Sequence, residues 1–161
     1  MAVSALVHIN INCSNFDRSK EFYECLGFRE FYSVPETNTP EIAAAVGMPP
    51  YRVKGALMML ESDQDSPMPL TIDLLEWIEP KDEEPPYPHL YHYGIARIAL
   101  STTNLDDDMA RLKTLGAEFI SAPVQMPPSS GSKARFVCFK DPDGTVLELV
   151  ENPTPRVLKI N

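Results

Sequence analysis

Three cysteines, Cys13, Cys25 and Cys138, are side chains whose spacing alone decides their chemistry. A CxxC pair would bind zinc or run redox chemistry. An odd number of widely separated thiols supports neither, nor a disulfide framework, and predicts buried free cysteines. Two other sets of reactive residues recur along the chain. Ser14 with Asp17, and Thr103 with Asp106, set a hydroxyl three residues ahead of a carboxylate, the spacing that satisfies the free N–H groups of a first helical turn. Asp73 and Glu148 stand at matching places in Thr71-Ile72-Asp73-Leu74-Leu75-Glu76 and Val146-Leu147-Glu148-Leu149-Val150-Glu151.

These recurrences belong to a repeat of the whole chain. His8 to Asp17 aligns with Arg97 to Asp106, and the register holds as far as Leu26-Gly27 over Leu115-Gly116. Each copy opens on a β-rich stretch, Leu6 to Asn12 or Ile95 to Ser101, and Ser14 or Thr103 is then expected to cap a helix. Leu105, Met109, Leu112 and Leu115 recur at helical spacing, and Gly27 and Gly116 stand where a left-handed C-cap is needed. Later strands are expected at Gly55 to Leu60 and Leu70 to Glu76, then at Ala134 to Phe139 and Thr145 to Val150, the last two joined by the turn Asp141-Pro142-Asp143-Gly144.

The expected organisation is a first βαβββ module over 1–80, a linker over 81–93 rich in prolines and acids, and a second βαβββ module over 94–161, all in one structural domain. The first module carries an insertion at 33–55. There Thr39-Pro40 starts a short helix and Gly47 ends it, giving either a flap over a pocket or an inert surface loop.

Composition narrows the partners. The net charge is -9, with 14 Lys plus Arg against 23 Asp plus Glu, and no basic cluster is interleaved with aromatics, which argues against nucleic acid. The N-terminus has no basic leader with a long apolar core, and no apolar run approaches a membrane span, so a soluble, cytoplasmic protein is expected.

Three segments carry a family resemblance. FKDPDGTVLELVE at 139–151, IDLLEW at 72–77 and GIARIALSTTNLD at 94–106 resemble, in order, the vicinal oxygen chelate superfamily of glyoxalases, bleomycin-resistance proteins and extradiol dioxygenases. The resemblance implies an α+β fold in which the tandem modules form a cupped, mostly antiparallel eight-stranded sheet around a central pocket, with the helices outside. It also implies a site built from one residue of each first strand and one of each last strand. Carried over by position, these are His8, Asp73, Arg97 and Glu148, expected as the catalytic set.

Members that use a divalent metal typically show His, Glu, His, Glu there. Asp73 keeps a hard oxygen donor. Arg97 does not: guanidinium has five donors and no acceptor, and it stays protonated. The chain is therefore expected to favour no metal, with Arg97 supplying the positive charge. If a metal (Mn, Fe, Ni, Zn or Mg) binds, its ligands would be His8, Asp73 and Glu148.

Strand alternation adds Asn10 and Asn12 beside His8, Ala99 and Ser101 beside Arg97, Leu75 beside Asp73, and Met59 and Phe136 on neighbouring strands, as ligand-binding positions. The function implied is an isomerase or lyase acting on a small oxygenated, anionic organic substrate. The alternatives are a non-catalytic binder like the bleomycin-resistance proteins, or a metal-dependent lyase or dioxygenase. A homodimer is expected, as in related proteins.

Overall fold

The computed structural model describes residues 5–63, 65–66, 69–127 and 133–151. The chain forms two compact units, Met1–Glu84 and Pro85–Asn161.

The first unit runs β1 (Ile9–Cys13), α1 (Phe16–Cys25), β2 (Phe28–Val34), α2 (Pro40–Ala45), β3 (Arg52–Leu60) and β4 (Thr71–Glu79). Its sheet has the order β1-β4-β3-β2. The β1/β4 pair is parallel and the other two pairs are antiparallel. The second unit runs β5 (Ile98–Thr102), α3 (Leu105–Thr114), β6 (Glu118–Phe119), β7 (Val124–Gln125), β8 (Arg135–Lys140) and β9 (Val146–Glu151). Its sheet has the order β5-β9-β8-β6, with β7 also on β8 and a parallel β5/β9 pair.

The fold is α+β and, among the described residues, has nine strands in a four-stranded and a five-stranded sheet where eight strands were expected. The ninth arises because β6 and β7, which take two separate places along β8, are split at Ser121-Ala122-Pro123. Proline has no N–H to give a ladder, so the edge strand breaks there. Within 33–55, β2 runs on to Val34 and β3 begins at Arg52, and between them α2 has Thr39 at its N-cap, with Gly47 beyond its end at φ 73°.

The opening strands start later than expected, at Ile9 and Ile98, so Val7 stays 64% exposed. The helix caps also shift by one residue. Asn15 and Asn104, not Ser14 and Thr103, are the N-caps, and their side chains accept from Arg18 N and Asp107 N. An Asn amide oxygen reaches the third helical N–H as well as a hydroxyl does. Gly27 and Gly116, at φ 95° and 84°, then end the helices in the left-handed region.

Each sheet packs one face against its helix. In the first unit Ile11, Ile72, Leu74, Met58 and Ala56 pack with Phe16, Phe22, Tyr23 and Phe28. Tyr23 meets both Phe22 and Phe28 edge-on, at centroid distances of 5.6 and 5.9 Å. In the second unit Leu100, Val137, Phe139, Leu147 and Leu149 pack with Leu105, Met109 and Leu112. Each fully buried side chain of this size contributes about 1.5–3 kcal/mol. Met58 and Phe139 are wholly core residues, whereas Met59 and Phe136 lie on the opposite face of their strands.

The repeat extends to side-chain contacts. Glu76, near the end of β4, accepts from Phe16 N at 2.8 Å, and Glu151, ending β9, accepts from Leu105 N at 2.9 Å. Beside them, Lys54 bridges to Asp17 and Arg135 to Asp106. In both units a strand-end carboxylate thus closes the positive end of the helix packed on it.

Candidate functional site

The polar positions lie on the sheet face away from the helices. In the first unit, alternation along β1 turns Ile11 and Cys13 inward and leaves Asn10 and Asn12 exposed, with exposed His8 just ahead of the strand. Parallel pairing sets Asn10 beside Asp73 and Asn12 beside Leu75, while antiparallel pairing sets Leu57 against the other side of Asp73. Asn10 Nδ2 donates to the Asp73 backbone carbonyl at 3.0 Å.

Asp73 Oδ1 is shut off from solvent and has no hydrogen-bond partner. Burial pushes the Asp73 carboxyl above its ordinary range, against the opposing pull of His8 and the Asn10 amide. The structure thus brings His8, Asn10 and Asp73 together, with Leu75 and Met59 on the same face.

In the second unit, Ala99 and Ser101 are exposed on β5, Ala99 is the lateral neighbour of Glu148, and Arg97 precedes the strand. Arg97 Nε donates to Glu148 Oε2. This ion pair joins a half-exposed guanidinium to a carboxylate that is only 12% exposed, and it holds the Arg97 proton more firmly than usual. Phe136 lies two residues from Cys138 on the same face.

Cys138 is a member of this cluster that sequence reasoning missed. The tight turn after Lys140 fixes the β8/β9 register, which sets Cys138 directly opposite Glu148, and its thiol donates to Glu148 Oε2 at 3.8 Å. Counting back from that turn would have found it. Burial, ahead of the nearby carboxylate, pushes the thiol's pKa up, so Cys138 is a protonated donor rather than a thiolate.

The two acids, matched in the repeat, therefore have opposite surroundings. Glu148 has a cation and a thiol donor; Asp73 has a buried free oxygen.

The sequence profile of the Glyoxalase/Bleomycin resistance protein/Dioxygenase superfamily matches residues 5–149. The chain belongs to this superfamily.

Solved structures of the superfamily share its fold. A glyoxalase family protein from Bacillus cereus superposes with a TM-score of 0.78 at 19% identity, covering 94% of this chain and 97% of its own. One from Enterococcus faecalis gives 0.61 at 24% identity, with 94% and 100% covered. The fosfomycin resistance protein FosX from Listeria monocytogenes, complexed with Mn(II) and 1S,2S-dihydroxypropylphosphonic acid, gives 0.58 at 19% identity, with 94% and 93% covered. No curated protein sequence matches the chain.

The donors seen here do not fit such an ion. Among the described residues, no three His, Cys, Asp or Glu side chains are placed to hold one metal. Glu148 Oε2 is already taken by a guanidinium, which repels a divalent cation. No helix among the described residues is long and apolar enough to cross a membrane.

Proposed function

We propose that this superfamily member is an isomerase or lyase for a small oxygenated, anionic organic molecule, and that Arg97 takes the electrostatic part a metal plays in relatives such as FosX. The single observation that carries this reading is the Arg97–Glu148 ion pair: a half-exposed cation is held by a nearly buried carboxylate on the sheet face away from the helices.

Its chemistry follows from the side chains. Arg97 keeps donors free beyond the Nε–H given to Glu148, and a planar guanidinium fork suits a carboxylate or an enolate oxygen. The second task of such a reaction is to move a proton beside a carbonyl. In the second unit the Glu148 carboxylate beside Arg97 suits that task; in the first, Asp73, with one buried oxygen unpartnered and its pKa raised by burial, suits it with His8 at its side. Asn10, Asn12, Leu75 and Met59 are proposed to contact a ligand on the first unit's face, and Ala99, Ser101 and Phe136 on the second's. Cys138 is proposed to hold the Glu148 carboxylate in place.

The Glu148 carboxylate, engaged by both Arg97 and Cys138, also suits a second reading, a binder that does no chemistry. One experiment separates the readings. Protein dialysed against EDTA should bind pyruvate and methylphosphonate, and Arg97→Met should weaken both at least about tenfold by calorimetry. In deuterated water the enzyme reading predicts catalysed exchange of the pyruvate methyl protons, seen by NMR and lost in Glu148→Gln. Binding without exchange leaves the sequestering protein, and binding that requires stoichiometric Mn²⁺ overturns the metal-free site.

A further inference from the structure

The face of the first unit that carries Asp73 changes character along its length. At one end stand His8, Asn10 and Asp73. Two residues along β4 comes Leu75, and two further comes Trp77, about 13 Å from Asp73 at the rise of an extended strand.

Trp77 is held in a fixed pose. Its indole Nε1 donates to Asn12 Oδ1 at 2.8 Å, and its ring meets that of Tyr51 at a centroid distance of 4.9 Å and an angle of 49°. Both rings keep part of their surface open to solvent, and buried Val53 pairs with Trp77 from β3. Tyr51 is anchored from the insertion, where Asn38 Oδ1 accepts from Tyr51 N at 3.4 Å. The Nδ2 of the same Asn38 amide is shut off from solvent without a hydrogen-bond partner. Two tilted rings, one fixed by an amide on the next strand and the other beside an amide with an unused donor, exceed what packing an exposed strand end requires.

We infer that Tyr51, Trp77 and Asn12 form an aromatic subsite, and that the ligand of the first unit carries a flat ring. The inference rests on the proposed function in taking this sheet face as the ligand-binding one, and it adds the substrate class. Ring faces of Trp and Tyr select a π-system over an alkyl chain of the same length through offset or edge contacts that an alkyl group cannot make. Leu75, between the two ends, is only 9% exposed. Gly55 gives that leucine its room, because a Cβ at position 55 would stand 2.4 Å from Leu75 Cδ2.

Trp77 is the only tryptophan of the chain, so its emission reports on this subsite alone. The probes are phenylbutanoate and hexanoate, an aromatic and an aliphatic acid of comparable length. Phenylbutanoate should change the Trp77 emission saturably and bind about tenfold more tightly than hexanoate. Tyr51→Leu, which keeps bulk at the position, should abolish that preference. Trp77→Phe, followed by calorimetry, should retain most of it.

Equal affinity for the two acids, or a preference that survives Tyr51→Leu, overturns the aromatic subsite and leaves the proposed function standing. Failure of both acids to bind overturns the subsite together with the reading of this face. Should Tyr51→Leu not fold, Asn12→Ala with unchanged preference and unchanged Trp77 emission overturns the inference equally.

Discussion

The Nε–H of Arg97 points into the carboxylate of Glu148, joining a residue just ahead of β5 to the middle of β9. In the first unit, His8 and Asp73 occupy the matching positions, and there the carboxylate keeps an unpartnered oxygen. The repeat has kept the backbone and diverged in its charges.

Replacing Arg97 tests that divergence. Arg97→Ala leaves a nearly buried carboxylate with only the Cys138 thiol as donor, and should cost about 1 kcal/mol, a small value because Arg97 itself is half exposed. Arg97→His removes the fixed charge and adds an acceptor, so Mn²⁺ should raise the melting temperature of this variant and not that of the parent. Equal shifts in both proteins would show that position 97 does not govern metal affinity.

Asp73 should give the stability a distinctive pH dependence. Burial raises its folded pKa above the unfolded value, so the native state holds the proton more tightly. The residue's contribution therefore improves as pH falls through the folded pKa and is unfavourable at neutral pH, where the carboxyl is charged. Asp73→Asn should melt higher than the parent at pH 7 by on the order of 1 kcal/mol, about 3 °C for a chain of this size. The gap should close as pH falls toward the ordinary aspartate value of 3.8. A gap independent of pH, in melts followed by circular dichroism, would assign the effect to something other than ionisation.

The strand-end acids should each stabilise the helix they cap. Glu76→Ala frees Phe16 N, and Glu151→Ala frees Leu105 N and leaves Arg135 with Asp106 alone, so each should cost about 1–2 kcal/mol in denaturant unfolding. Glu→Gln at either position should recover part of the loss, since the amide oxygen still accepts the hydrogen bond.

Gly55 should tolerate no side chain. A Cβ there would lie 2.5 Å from the Leu74 carbonyl oxygen, and the β3/β4 ladder prevents that backbone atom from moving away. Gly55→Ala should lower stability by about 2–4 kcal/mol. Gly47→Ala, with nothing within 4 Å of the added atom, should lose only the cost of its positive φ, about 1 kcal/mol.

Much of this molecule could be read from its residues in order. Local signals fixed the repeat, both long helices, the short helix after Thr39 and the turn at Asp141, because capping, glycine stops and turn chemistry act over a few residues. The family was legible too, since strand alternation and the acid-bearing strand ends recur at constant spacing. Choosing Asn15 and Asn104 over Ser14 and Thr103 was beyond such signals, because neighbouring residues compete equally for a cap in sequence and only the packed strand decides where the first helical turn begins. The break between β6 and β7 has a local cause in Pro123, whose missing N–H interrupts the edge. The fate of the two matched acids depended on tertiary structure most of all. Sequence sets Asp73 over Glu148, but it is cross-strand register that brings Leu57 to one and Cys138 to the other, and a neighbour in space sets whether a carboxylate is shielded, paired or left free.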